Sequence, residues 1–331
     1  NRTIEAASEQ KWVASKNYNS KPLTQAEEKL FEKWESSAFV IIQNNRLLYE
    51  KYWDGYSDES LTNSFSMAKS FTGLCVGAAI KEDRIKSTEQ LIGEFLPKYK
   101  DSGIRIKDLL QMSSGIDFGE SYGDPFGFMA KAYFEKVVYG LTLSKKQEKP
   151  PGTEWKYQGG NTLLLSFIIE KATGKKLANY FAEKFWQPLG AKQDALWTID
   201  DKNGRERSYC CFYSNAKDYA KIGQLMLDSG RWRGGTLIEQ EFFNASISPA
   251  GVADKSGDIV NHYGYQWWLG KYKNVTFHYA RGILGQYIVS VPEWNIVFVR
   301  LGKKRGPTRG TIIPSDLLEY FEVVERHRNK Q

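Results

Sequence analysis

The sequence predicts an α+β fold: an antiparallel sheet built from both ends of the chain, flanked by terminal helices, with a mostly helical segment inserted between. Two observations carry this. Strand-like apolar runs cluster near the start, in "FVIIQNNRLLYEKYW", and again in the last third, in "YGYQWWLG", "VTFHYA", "GQYIVSVP" and "NIVFVRLG". Helical spacing dominates what lies between them, from Ser66 to about Met226. The division expected is residues 1–62 with 215–331 as the mixed sheet domain, and 63–214 as the helical insertion.

The elements follow in chain order. A helix is expected around Ala26 to Ser36, then a hairpin turning at Asn44-Asn45. "IRIKDLLQM" has helical spacing; "NTLLLSFIIEKATG" reads as a helix capped by Asn161 or Thr162 and stopped by Gly174; "AKDYAKIGQLMLDSG" reads as one stopped by Gly230. Pro292 to Asn295 turns between the last two strands, and an amphipathic helix starts near Ser315. No internal repeat or low-complexity tract interrupts the pattern.

Composition narrows the chemistry. With 331 residues and 41% hydrophobic content, the chain can bury a substantial core. The longest nearly uncharged apolar run, Phe71 to Ile80, is about half of what a bilayer span requires, so no transmembrane helix is expected. Cys75, Cys210 and Cys211 form an odd set with two neighbours adjacent, which describes neither a disulfide framework nor a zinc site; they read as small core residues. His262, His278 and His327 are the only histidines and show no metal-ligand spacing, so no metal and no cofactor are expected. The net charge of +7 is spread out, densest at Lys303, Lys304, Arg305, Arg309 and from Arg326 to Lys330. It reads as solvated surface rather than as a nucleic-acid or membrane footprint.

Ser-x-x-Lys occurs three times, at Ser8/Lys11, Ser66/Lys69 and Ser214/Lys217. Context separates them. Ser8 lies in a polar terminal segment, and Ser214 opens a helix whose Asp218, Lys221 and Gln224 read as a wet face. Only Ser66 opens a helix that is apolar all round, "SFSMAKSFTGLCVGAAI". Three residues apart on a helix, Ser66 and Lys69 share a face. Free N–H groups at the helix start can supply part of an oxyanion hole. A basic Lys69 must be neutral; moving a lysine from about 10.4 to near 7 costs about 4 to 5 kcal/mol. "GESYG" offers a rival, Ser121, in the pattern of a nucleophile elbow, but the flanking residues spell loop rather than strand and helix. His262 or His278 would complete its Ser, Asp, His order.

Ser66-Met67-Ala68-Lys69, followed by "IRIKDLLQMSSGI" and "PGTEWKYQGGNTLLLSFIIEKATG", resembles the serine β-lactamase and penicillin-binding-protein superfamily, from about residue 39 to 302. "YCCFYSNAKDYAKIGQLMLDSGRW" and "YARGILGQYIVSVPEWNIVFVRLG" are most similar to its 6-aminohexanoate-dimer hydrolase and esterase branch, related to class C β-lactamases. The resemblance implies a β-lactamase/transpeptidase-like fold with the active site between its two domains. It also implies a metal-free acyl-enzyme mechanism on Ser66, with Lys69 and Tyr157 as its partners.

The departures matter as much. The family's Tyr-x-Asn becomes Tyr157-Gln158-Gly159, keeping the phenol that can shuttle a proton and losing the amide. The Lys- or His-Thr-Gly motif becomes Ala280-Arg281-Gly282. The N–H of Ile283 can still complete an oxyanion hole with that of Ser66, and Arg281 can hold a substrate carboxylate bidentately. His278, two residues early, is the alternative source of the missing side chain. Tyr122 resembles a tyrosine that caps the cleft in the amide-hydrolysing branch. The expected activity is hydrolysis of amides or esters of small or peptide-like substrates. β-Lactamase or D,D-peptidase activity is the first alternative, and non-catalytic binding of peptidoglycan or peptide the second. Superfamily habit points to a periplasmic or secreted setting, with the cytoplasm as the other option.

Overall fold

Asn44 and Asn45 both take positive φ, 52° and 58°, the conformation that a tight two-residue hairpin turn requires. They join β1 (Ser36–Gln43) to β2 (Arg46–Tyr52). The computed structural model describes residues 1–121, 124, 126–136, 138–308 and 312–329. The C-terminal third adds β3 (Trp268–Tyr272), β4 (Val275–Gly282), β5 (Gln286–Val291) and β6 (Ile296–Gly302). The six form one antiparallel sheet in the order β2-β1-β6-β5-β4-β3, so the two ends of the chain meet where β1 pairs with β6, Phe298 opposite Ile41.

Every residue of β1, β5 and β6 is buried because helices cover both faces of the sheet. On one face lie α1 (Gln25–Lys33), α5 (Ser315–His327) and an aromatic core of Phe31, Phe39, Phe298, Tyr320 and Phe321. On the other, α4 (Ala216–Leu227) packs so tightly that a Cβ on Gly223 would stand 2.5 Å from Val297. The helical part centres on α2 (Ala68–Lys81) and α3 (Gly159–Thr173), both apolar around the whole circumference and buried between layers. The architecture is α+β and β-lactamase/transpeptidase-like. Among the described residues no helix is long and apolar enough to cross a membrane.

Several expectations need correcting. Helix α3 begins at Gly159 with Gln158 at its cap, three residues before Asn161 and four before Thr162, the two residues expected to cap it. Its C-terminal stop is Gly174 at φ 71°, as the sequence suggests. Asp218, Lys221 and Gln224 of α4 are not a wet face; all are nearly fully buried. The N-terminal segment and the loop around Gly190 cover them, with Gln10 N–H bonded to Gly190 O at 2.9 Å and Lys192 N–H to Asp218 Oδ1 at 2.8 Å. Ser214, expected to open this helix, is instead buried in the strand before it, and Asn215 is the cap, its Oδ1 accepting from Asp218 N–H at 2.8 Å. Cys210 and Cys211 are buried but not free, being joined to each other as a disulfide across adjacent residues. A second sheet that the sequence pattern does not reveal, in the order Arg2–Ile4, Ala195–Trp197, Phe212–Ser214, Thr62–Asn63, leads directly into the serine at position 66.

Candidate active site

Ser66 sits on a single 3₁₀ turn, Phe65–Met67, that runs into α2. Phe65 just before it takes φ 45°, a left-handed conformation that is strained for an aromatic residue and costs on the order of 1–3 kcal/mol. The strain is held by anchors on both sides. Ser64 N–H donates to Phe212 O at 2.7 Å, and Phe65 N–H to Asn63 Oδ1 at 2.8 Å. The result lifts the Ser66 hydroxyl to the edge of a cleft.

One turn further, Lys69 is buried, and its Nζ lies 3.1 Å from Ser66 Oγ and 2.9 Å from the carbonyl oxygen of Tyr209. It also stands over the ring of Tyr157, 4.9 Å from the centroid. Tyr157 comes from the segment preceding α3 and packs against Trp268, Tyr263 and Trp155, with centroids 5.1, 5.8 and 6.4 Å away. Burial pushes its phenol up to about 12, while a hydrogen bond with Ser66 and the nearby Arg281 charge pull the other way. The phenol is therefore in its protonated form near neutral pH.

The third wall comes from β4. A Cβ on Gly282 would lie 2.2 Å from Ser64 O, so only glycine lets β4 run this close to the turn that carries Ser66. Ile283 follows and lines the same cleft, a cavity of about 380 Å³ shared with Phe65, Met129, Phe134, Tyr209 and Cys210. Beneath the Ile283 turn, Arg300 is fully buried and donates to the carbonyl oxygens of Leu284, Gly285 and Lys304 at 3.2, 2.9 and 3.0 Å. Arg281, beside Gly282, lies over the Trp268 ring at 3.6 Å and donates to Ile312 O at 2.8 Å, so its guanidinium is partly engaged.

The structure thus brings Ser66, Lys69, Tyr157, Gly282 and Ile283 together, with Arg281 on the aromatic wall behind Tyr157. Tyr122 lies outside the described residues. Ser121 borders the cleft from a coil segment with no strand before it, so it lacks the frame of a nucleophile elbow. His278 shares a face of β4 with Ala280 and Gly282 but lies four residues before Gly282, buried between Phe243 and Trp267 at about 6 Å from each ring, and cannot replace the missing third-motif side chain. His262 lies edge-on to Trp155 at 5.2 Å and stacks on Trp268 at 6.0 Å. Sequence reasoning missed two participants. Tyr209 serves through its backbone oxygen, which leaves no side-chain signal. Glu120 accepts from Gly160 N–H at 2.7 Å, and its carboxyl is pushed up by burial and pulled down by the Gly159 and Gly160 N–H groups and by Lys69. It adjoins Ser121 in the "GESYG" stretch.

A serine held against a lysine at the mouth of a cleft, on this fold, defines a serine hydrolase. The chain belongs to the Beta-lactamase family, whose model matches residues 23–318. A 6-aminohexanoate-dimer hydrolase of Paenarthrobacter ureafaciens is 27% identical over 294 residues, spanning 82% of this chain and 74% of its own. A Bacillus anthracis structure named as a proposed 6-aminohexanoate-dimer hydrolase superposes with a TM-score of 0.82 at 20% identity, covering 98% of this chain and 90% of that one. A family VIII carboxylesterase gives a TM-score of 0.71 at 14% identity, covering 96% and 99% of the two chains.

Proposed function

We infer that the protein hydrolyses amide or ester bonds of small or peptide-like substrates through an acyl-enzyme on Ser66. The observation that carries this reading is the 3.1 Å approach of Lys69 Nζ to Ser66 Oγ, with the Tyr157 ring beside the same nitrogen at 4.9 Å. Lys69 takes the hydroxyl proton as Ser66 attacks the carbonyl carbon. The N–H groups of Ser66 and Ile283 receive the oxyanion, and Tyr157 passes a proton to the departing nitrogen or oxygen. Water then releases the acyl group by the reverse sequence. The predominantly apolar lining of the cleft supports uncharged acyl groups.

Intact-mass spectrometry after treatment with a fluorophosphonate tests it, with peptide mapping of the adduct. One adduct on Ser66 is expected. A label on Ser121 would overturn the nucleophile assignment, and complete absence of label with retained peptide binding would instead favour a non-catalytic binder.

A further inference from the structure

We propose that Glu120 is a positioning residue for Lys69: its carboxylate, pinned over the first turn of α3, stabilises the ammonium that Lys69 becomes on accepting the Ser66 proton. The proposal rests on the Ser66 and Lys69 roles inferred above. Helix α3 begins with two glycines, and each lacks a side chain for a packing reason. A Cβ on Gly159 would meet the Tyr209 side chain at 3.0 Å, and one on Gly160 would meet the Phe118 ring at 2.1 Å. The helix start is therefore bare, and its N–H groups are satisfied from outside, by Glu120 Oε1 at 2.7 Å from Gly160 N and by the same carboxylate toward Gly159.

That anchorage joins the carboxyl to the helix start that packs on Tyr209, the residue whose carbonyl holds Lys69 Nζ at 2.9 Å. Burial raises the Glu120 carboxyl, and the Gly159 and Gly160 N–H groups and the Lys69 charge favour its ionised form. Lys156 and Tyr157 face it from the segment before α3, with Asp117 bonded to Lys156 at 2.7 Å. Arg281 and Arg305 act on Tyr157 from the sheet side. During acylation the Ser66 O–H bond breaks as the O–C bond forms, and the proton moves to Lys69 Nζ. Glu120 takes no proton. It gains a full positive neighbour only when the oxyanion forms, so the attraction strengthens in the transition state more than in the substrate complex. The arrangement does for a lysine base what a buried carboxylate does for the histidine of a Ser-His-Asp triad.

Glu120→Gln separates charge from anchorage, since its amide oxygen can still accept from Gly160 N–H. The variant is measured for kcat and KM on p-nitrophenyl acetate across pH, and for Lys69 titration by lysine Cε NMR, assigned with Lys69→Ala. The expected result is a kcat lowered about tenfold or more with KM within about threefold. The Lys69 titration and the acidic limb of kcat/KM both move down by about one pH unit, because a lysine without its anionic neighbour loses protons more readily. Glu120→Asp restores part of the rate. A folded Glu120→Gln protein whose Lys69 titrates unchanged overturns the proposal, as does a loss confined to KM or stability. Full activity in Ser66→Ala would instead overturn the nucleophile reading, and the NMR shift would still decide whether Glu120 acts on Lys69.

Discussion

Lys69 Nζ is shared between Ser66 Oγ at 3.1 Å and the Tyr209 carbonyl oxygen at 2.9 Å. The carbonyl helps to fix where the nitrogen sits, within reach of the serine. Because Tyr209 precedes the Cys210–Cys211 disulfide, whose own carbonyl oxygens accept from Trp197 Nε1 at 2.9 Å and Thr198 N–H at 3.0 Å, this acceptor belongs to a stiff piece of backbone. Precision at the lysine comes from outside its own helix.

Removing the lysine should accordingly remove the chemistry. Lys69→Ala is expected to lower kcat/KM for a p-nitrophenyl ester by about 10²-fold to 10⁴-fold. Lys217→Ala, which breaks pairs with Glu50 and Asp58 on the far side of α4, should change it less than about threefold. Steady-state kinetics of the two variants side by side provide the check.

The serines divide in the same way. Ser66→Ala should abolish ester turnover, while Ser121→Ala and Ser214→Ala keep most of it. Ser121 borders the cleft on a coil, and Ser214 is buried in the small sheet. Comparable rates in Ser66→Ala and wild type would remove Ser66 from the reaction.

What the sequence revealed, and what it hid, follows from the range of the interactions. The Asn44-Asn45 hairpin and the Ser66-Lys69 pair are legible because turn chemistry and helical spacing act within four residues. The burial of Asp218, Lys221 and Gln224 is not legible, because charged residue types signal water unless one knows that residues near 10 and 190 lie over them. Lys221 Nζ 3.2 Å from Asp218 Oδ1 is the sort of buried pair that residue type alone reads as surface. Glu120 was invisible for a related reason: its partner, Gly160 N–H, is forty positions away.

Gly282 gives a structural prediction about the cleft. Gly282→Ala places a methyl group into Ser64 O, so β4 must move away from the serine turn, carrying Ile283 with it. A stability loss of about 1–3 kcal/mol is expected from the overpacking. kcat should fall by about tenfold or more as the oxyanion site opens, and urea unfolding paired with ester kinetics measures both.

His278 supplies a pH prediction that bears on stability and not on catalysis. Burial depresses its imidazole from 6.5 to about 4 in the folded protein. Above pH 6.5 the ring is neutral folded or unfolded and no stability is lost. As pH falls from 6.5 toward 4, the unfolded chain takes the proton more readily, so stability declines, by about 2–3 kcal/mol at pH 4.5. His278→Met should shrink the difference in urea midpoint between pH 7.5 and 4.5 relative to wild type, since other titrating groups are common to both. An unchanged difference would show that His278 charges as easily folded as unfolded.

Substrate preference follows from the two motif departures together. A β-lactam of the penicillin type offers a ring carboxylate and a side-chain amide that the Lys-Thr-Gly and Tyr-x-Asn side chains would hold. Here Gly159 carries no side chain, because a Cβ there already contacts Tyr209, and Ala280 is fully buried. Arg281 stands beside Gly282, but it lies on Trp268 with one nitrogen given to Ile312 O. Each missing hydrogen bond to a charged partner is worth about 1.5–3 kcal/mol. Two of them amount to about 10²-fold to 10⁴-fold if they add. Short acyl esters need neither anchor and fit the apolar wall of Phe65, Met129 and Ile283. kcat/KM for such an ester should exceed that for benzylpenicillin or nitrocefin by at least about two orders of magnitude. Nitrocefin turned over as fast as the best ester would mean that Arg281 leaves the tryptophan to bind the ring carboxylate. Arg281→Ala would then abolish nitrocefin hydrolysis selectively, leaving ester hydrolysis intact.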